Sequence, residues 1–415
     1  MTLPSMSSPS MISPAMILHA PRSEAEVVEI VRGALAGATP LALQGGGTRA
    51  GFGHAVAAEA GLSTSALSGI LRYTPGEMVM TALAGTPLEE VEAALAGQGQ
   101  RLAFEPADHR PAMGTQGVPT IGGVFAANVS GPRRIAGGAA RDSLLGIRFV
   151  NGRGEALSAG GRVMKNVTGL DLVKLMAGSY GTLGLMTEVT FRVLPQPERV
   201  ETLVFSGLED QAAAELMAAA MALPADVSGA AHLPESVRGR FLAGALPEGA
   251  ATLLRLEGHA ASVAIRAETL TRALGARAPL QRLGPEQSES LWRAVRDIHP
   301  YAEDGTQRPL WRVSVAPMAG PGLVAALRME AGVDAFYDWQ GGLVWLRMEA
   351  EPEAALLRGL IAKAGGGHAT LLRANPAARA AIPAFEPQPA PLAALAARVK
   401  ASLDPHGLFN PGRMG

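Results

Sequence analysis

The sequence predicts an α+β protein in two folded parts, and three observations carry that reading. Residues 17–195 alternate short apolar strand patterns with amphipathic helix patterns around glycine-rich turns. Residues 199–375 continue with strands and helices and carry a hairpin signal at Gln340, Gly341 and Gly342. That pattern suggests one antiparallel sheet with helices on one face. Pro195 and Pro197 punctuate the chain between these parts, and a Pro- and Ala-rich linker at 383–391 precedes a final helix. The expected divisions are a disordered leader at 1–16, then domains at 17–198 and 199–380, then a C-terminal segment at 385–415.

The leader is rich in Ser, Pro and Met and has no Lys or Arg, unlike a secretory signal; translation from Met11 or Met16 fits it equally. Ser23 and Glu26 form a capping-box pair before a helix whose apolar stripe is Val27, Ile30, Val31 and Leu35. Residues 41–44 read as a buried strand and 78–84 as a second. Thr86 as N-cap, Pro87 at the first helical position and Glu89 predict a helix with Leu88, Val91 and Leu95 inward. Residues 102–104 resemble a strand, and periodicity then disappears from 106 to 138, a loop length that is often functional. Alternation from Leu185 to Val193 predicts a half-exposed strand with Met186, Glu188, Thr190 and Arg192 outward. In the second part, 251–257, 310–315, 336–339, 343–348 and 369–373 read as strands, with helical patterns ending at Leu274 and over 323–329 and 354–364. Leu392, Leu395, Val399 and Leu403 form the stripe of the last helix.

Composition narrows the chemistry. The 415 residues include 36 basic and 37 acidic side chains, a net charge of −1, which gives no support for a sequence-independent grip on nucleic acid. No apolar run is long enough to span a bilayer. The chain has no cysteine, which excludes disulfides, a thiolate nucleophile and a cysteine-held cluster within it. The eight histidines form no His-x-His pair and no Glu-x-x-His spacing, so no metal site is predicted. Neither a G-x-S-x-G elbow nor a P-loop lysine motif occurs.

Three glycine-rich segments remain. Gly45, Gly46, Gly47, Thr48 and Arg49 follow a strand; taken alone they are equally a surface turn or a nest of N–H groups for phosphate oxygens. Residues 45–50 also fit G-x-G-x-x-A, but that fingerprint must open a helix, and Gly51, Gly53 and the lack of helical periodicity argue against one. The second segment, 120–131, offers Thr120 and Asn128 among small residues; alone it is a packed crossing. With 45–49 upstream, the two could hold a pyrophosphate from both sides. Charge-assisted bonds contribute about 1.5–3 kcal/mol each, so four or five supply much of the roughly −12 kcal/mol of a nanomolar ligand. The third, 178–184, is a glycine turn feeding a strand.

Read in order, 21–24, 44–49, 106–108, 120–131, 178–184 and Phe409, Asn410, Pro411, Gly412 and Arg413 resemble the FAD-binding vanillyl-alcohol oxidase / p-cresol methylhydroxylase family. Further stretches resemble more narrowly the E subunits of bacterial glycolate oxidases: 130–134, Val163, Met164, Lys165, Asn166 and Val167, 169–172, 310–314, Asp338 and Trp339, and 366–370. The resemblance implies a p-cresol methylhydroxylase-type FAD-binding domain of two α+β lobes, an antiparallel-sheet cap, and a tail that returns to the first domain. It implies FAD contacts by Gly45, Gly46, Gly47, Thr48, Arg49, Pro106, Asp108, Thr120, Gly122, Gly123, Asn128, Gly131, Gly181, Thr182, Gly184 and Asn410. The FAD is expected to be noncovalent, because the chain has no Cys and no His stands among the glycines after Leu43.

The same resemblance implies a complex with a flavin-binding D subunit and an iron–sulfur F subunit. It would be cytoplasmic, or peripheral at the inner membrane through its partners. The expected activity is oxidation of glycolate, and of D-lactate, to the 2-oxoacid. The His-x-His and Glu-His of related 2-hydroxyacid dehydrogenases are absent from 199–380, which counts against glycolate oxidation by this chain alone; a stand-alone FAD-dependent oxidoreductase for a different small alcohol and a noncatalytic assembly subunit are the alternatives. Hydroxyacid oxidation needs a base for the hydroxyl proton and a cation for the carboxylate. His368 and Arg312 are the candidates, with Arg347 and Arg373 as alternatives. An arginine on an amphipathic strand also suits solvent, and His368 after three glycines also suits a strand cap.

Overall fold

The computed structural model describes residues 17–162, 170–302 and 307–415. The expected leader at 1–16, and Val163, Met164, Lys165, Asn166, Val167 and Gly169, lie outside the described residues. The chain divides into two units, one of Met1–Val129, Ala139–Pro195 and Pro387–Gly415, the other of Ser130–Gly138 and Gln196–Glu386. Residues 130–138 thus group with the second unit although they interrupt the first in sequence.

In the first unit, helix Glu24–Ala36 begins where the Ser23 hydroxyl accepts the Glu26 N–H, while the Glu26 carboxylate reaches back to the Arg22 N–H rather than that of Ser23. Its Val27 and Val31 cover a parallel sheet in which Ala60–Ser63 lies between Ile17–His19 and Leu41–Gln44. A second sheet is antiparallel, in the order Ile70–Thr74, Val79–Leu83, Leu185–Arg192, Leu144–Val150, Ala156–Gly160. Leu185–Arg192 is its middle strand, so Met186 and Thr190 are buried and the expected half-exposure is confined to Glu188 and Arg192. Helix Leu88–Ala96 starts after Pro87, one residue later than expected. The Thr86 hydroxyl is taken up instead, donating to the Leu83 carbonyl and accepting the Gly69 N–H. Strand pairing near 102 stops at Gln100–Arg101, while Leu102 and Phe104 are buried in the core beside Phe125 and Phe191. The long loop contains short helical turns, Arg110–Met113 and Ile121–Ala126 among them.

The second unit is built on an antiparallel sheet, eight strands among the described residues. Its order is Leu280–Leu283, Arg199–Ser206, Ala251–Gly258, Gly229–Leu233, Val333–Asp338, Leu343–Met348, Leu310–Val315, Gly367–Arg373. Alternate residues such as Leu203, Leu254, Tyr337, Val344 and Val313 point to one face. Helices Asp210–Met221, Ala260–Leu274, Gly320–Arg328 and Ala354–Lys363 cover that face. Helix Pro285–Arg296, absent from the sequence reading, lies against the other: its Trp292 indole N–H donates to the hydroxyl of Thr202, the neighbour of Leu203. Its signal is Leu291, Trp292 and Val295 behind Pro285.

A polar knot ties the helix layer to the sheet. Asp210 accepts hydrogen bonds from His232 Nε2 (3.2 Å), the Tyr337 hydroxyl and Arg328 (3.1 Å). Burial raises the Asp210 pKa, but the bonds from His232 and Tyr337 and the charge of Arg328 outweigh it and hold the carboxyl below its ordinary value. A carboxyl lowered on folding stabilises fully above its unfolded pKa and stops doing so as pH falls through the folded one. Asp210→Asn is therefore expected to lower neutral-pH stability by about 1–3 kcal/mol in urea melts. The gap to the wild type should close as pH drops below the usual carboxylate range; a gap independent of pH would contradict this account.

Candidate functional site

The turn after Leu41–Gln44 is where two backbone segments touch. A Cβ on Gly46 would overlap the Val118 carbonyl, one on Gly117 the Gly46 carbonyl, and one on Gly45 the Thr120 hydroxyl. Of the three consecutive glycines only Gly47 has a left-handed backbone, φ +76°. Residues 45–54 form turns and no helix, in keeping with rejection of the dinucleotide fingerprint. Among the described residues, the N–H groups of Gly45, Gly46, Gly47, Thr48 and Arg49 have no acceptor. Arg49 donates Nη2 to the Ala107 carbonyl at 3.1 Å, but its Nε is sealed from solvent without a partner. Burial, partly offset by the Asp108 carboxylate, pushes its pKa down to about 10.

These groups wall a solvent-open groove within the first unit. The structure brings together there Gly45, Gly46, Gly47, Thr48, Arg49, Thr120, Gly122, Gly123, Gly181 and Gly184. Thr120 caps Ile121–Ala126 by accepting the Gly123 N–H, and Gly122 is small because a Cβ would overlap Ala84. Six other expected contacts are not in the lining. Pro106 is buried, and Asp108 is engaged by Arg110 (2.7 Å). Asn128 accepts the Arg141 N–H, and the Thr182 hydroxyl donates to the Ser179 carbonyl. Asn410 works from behind the wall: Oδ1 accepts the Leu43 N–H (2.8 Å) and Nδ2 donates to the Tyr180 carbonyl (2.8 Å). Gly131 belongs to the second unit, where its carbonyl accepts the Trp339 indole N–H. The sequence reading missed Gln44, Tyr180 and Arg413 in the lining. Tyr180 has a signal, an aromatic flanked by Gly178 and Gly181, and it stacks on Phe52 with ring centroids 6.2 Å apart.

In the second unit, Arg312 pairs across the sheet with Thr370 and His368 with Ser314, so both occupy the face opposite Val313 and its helices. His368 is exposed on its strand, but partial desolvation lowers its pKa, and the Arg312 and Arg134 cations lower it further against the Glu386 carboxylate. His368 is therefore neutral at neutral pH and can accept a proton. The alternatives have other work. Arg373 donates to the Arg308 and Tyr301 carbonyls, and Arg347 pairs with Asp334 and lies over Tyr301. Among the described residues no three His, Asp or Glu side chains converge on a metal position, and no helix is long and apolar enough to cross a membrane.

A p-cresol methylhydroxylase-type fold with a nest of free amides and a buried guanidinium is that of an FAD-dependent oxidoreductase, and residues 15–160 match the model of the FAD binding domain family. The chain is similar over its length to glycolate oxidase subunit GlcE of Escherichia coli K12, with 35% identity over 393 residues, 94% of this chain and 96% of that protein. It belongs to that family of glycolate oxidase E subunits. A D-2-hydroxyglutarate dehydrogenase of Xanthomonas citri is 37% identical over 193 residues, which span 46% of this chain and 39% of that one. Among solved structures, 4-ethylphenol oxidase from Gulosibacter chungangensis shares the fold at a TM-score of 0.67 and 14% identity, covering 98% of this chain and 91% of that one. An alkyldihydroxyacetonephosphate synthase does so at 0.67 and 17%, covering 95% and 76%.

The chain crossing makes a stability prediction. Gly46→Ala should cost about 1–3 kcal/mol by overpacking, read as a lower midpoint in denaturant. Gly47→Ala should cost about 1 kcal/mol through φ alone. A Gly46→Ala protein as stable as the wild type would show the crossing to be looser than described.

Proposed function

We propose that this chain is the FAD-binding E subunit of a complex that oxidises glycolate, and D-lactate, to the 2-oxoacid. The observation that carries the reading is the row of five acceptor-less N–H groups beside the orphaned Nε of Arg49, walling one groove. Such a row suits the oxygens of a pyrophosphate, and a buried cation with an unmet donor gains most from an anion. Gly45, Gly46, Gly47, Thr48 and Arg49 would hold the pyrophosphate, with Thr120, Gly123, Gly181 and Tyr180 along the rest of the cofactor. Attachment would be noncovalent, since the chain has no Cys and the glycine turn no His.

Bound FAD would supply a two-electron acceptor for the hydride of the hydroxyl-bearing carbon. Arg312 would hold the substrate carboxylate, and the imidazole of His368 would take the hydroxyl proton, leaving the carbonyl of the 2-oxoacid. The electrons would leave through an iron–sulfur F subunit in a complex that includes a flavin-binding D subunit. Two points support partners: the match spans nearly all of a protein described as a subunit, and a chain without cysteine needs another polypeptide to carry a cluster.

Arg49→Met should weaken FAD binding about 10- to 100-fold, measured by fluorescence titration of apoprotein, with the melting profile retained. Undiminished affinity would remove the pyrophosphate role. His368→Gln should lower kcat of the assembled complex with glycolate by about 10²–10⁴ and abolish the acidic limb of its pH profile, which should lie below the ordinary histidine range. An unchanged profile would exclude His368 as the base. Robust glycolate turnover by the chain without partners would instead favour a stand-alone oxidoreductase.

A further inference from the structure

We propose that Glu386 is the positioning residue of His368: its carboxylate holds the strand that carries the imidazole and supplies the negative charge against which that ring takes up a proton. The proposal rests on the hydroxyacid reading above and adds to it the group that supports His368 as the base. Both residues are in the second unit.

The placement of Glu386 follows from a sheet edge. Gly367–Arg373 is the outermost strand, paired on one side with Leu310–Val315. The N–H groups on its other side need acceptors from outside the ladder. Residues 384–386 supply them: the Ala384 carbonyl accepts the Leu371 N–H at 2.8 Å, and Glu386 Oε2 accepts that of Ala369 at 3.1 Å. A main-chain carbonyl thus serves at one position and a carboxylate at the other, one residue beyond His368. The carboxylate is fixed in turn by Arg358, which pairs with it at 3.4 Å. Arg358 also donates Nη2 to the carbonyls of Pro383 (2.6 Å) and Phe385 (3.1 Å), and its guanidinium lies over the Trp311 ring. Both partners of the pair are mostly buried, the Glu386 side chain 24% exposed and that of Arg358 15%.

Closing the edge needs only an acceptor, and a neutral amide would provide one. The negative charge has its use in proton uptake. When the hydroxyl proton of the substrate passes to the imidazole, the ring gains a positive charge. The groups that act on that charge come from three elements. Arg312 on Leu310–Val315 and Arg134 on Arg134–Gly137 oppose it, as does partial desolvation of the ring, while Glu386 favours it. With the carboxylate neutralised, the ring would meet only the two cations among these groups and hold a proton less well. His368 is exposed on its strand, which keeps the imidazole open to a substrate and lets solvent moderate these charges. The arrangement leaves the ring neutral before the reaction and offsets its charge afterwards.

The test follows isotopically labelled histidine rings by NMR as pH is varied in the FAD-loaded full chain, with His368→Gln identifying the His368 signal. Glu386→Gln keeps an acceptor for the Ala369 N–H but removes the charge; Glu386→Asp keeps the charge. Expected is a His368 pKa lowered by about half a unit or more in Glu386→Gln and brought back towards the wild type in Glu386→Asp, with melting retained. In the complex with its partners, the acidic limb of kcat with glycolate should move to lower pH by the same amount, and its plateau should fall about two- to tenfold. An unchanged His368 pKa in Glu386→Gln, or an equal fall in Glu386→Asp, overturns the proposal, since a purely structural clip would leave the titration indifferent to charge. If Glu386→Gln fails to fold, the wild type decides: the carboxyl carbon shift of Glu386 should show a second inflection at the His368 pKa, and a single inflection overturns the pairing. A lowered His368 pKa with an unmoved limb of the kcat profile sinks His368 as the base and leaves the pair standing.

Discussion

The first unit depends on a backbone-to-backbone crossing with no room for a single carbon between the two segments. Gly46 and Gly117 each lie where a Cβ would overlap the other segment's carbonyl, and Gly45 sits against the Thr120 hydroxyl. With one side of the turn pressed against 117–120, its N–H groups are left without acceptors among the described residues, and they wall the groove. Close packing behind thus creates unmet donors in front, a costly state unless a ligand meets them. Cofactor binding and packing are two sides of one constraint.

The C-terminal tail stiffens the wall from the rear. Lys400 donates to the Thr182 and Phe409 carbonyls and pairs with Asp404, which itself accepts the Leu408 and Phe409 N–H groups. Phe409 is fully buried and bridges to Leu41. Asn410 then ties Leu43, just before the glycine turn, to Tyr180, just before Gly181. Both tied segments line the groove, so the tail sets their spacing without contributing its asparagine to the lining.

Much of this was legible in the sequence, though partly for other reasons. The triple glycine pointed to the groove through its expected freedom at positive φ, yet only Gly47 uses that freedom; Gly45 and Gly46 are required by a crossing with residues more than 70 positions away. Local pattern cannot show such a partner. Asp108 and Thr182 differ: their partners, Arg110 and the Ser179 carbonyl, stand two and three residues away, and the local turns engage both polar groups. Leu185–Arg192 alternates like a half-exposed strand, but as the middle strand of its sheet it has buried residues on both faces, and only Glu188 and Arg192 are partly exposed. The helix at 285–296 went unread although its apolar stripe and Pro285 were present. Arg312 and His368 could be named from chemistry; their common face follows from a register that only the fold supplies.

Across the two units, one economy recurs. In the first, glycines let the chain press so close to itself that its amides are freed on the opposite side. In the second, a tryptophan is forced into a conformation better suited to glycine, and three hydrogen bonds keep it there beneath two arginines. Each arrangement stores an unfavourable local state, unmet donors in one and backbone strain in the other. An anion at the free amides would offset the first of these states. A chain with a net charge of −1 cannot attract anionic ligands by its overall field. In the first unit the free amides concentrate positive potential at a fixed point, built by over-determined backbone rather than by a surplus of Lys and Arg.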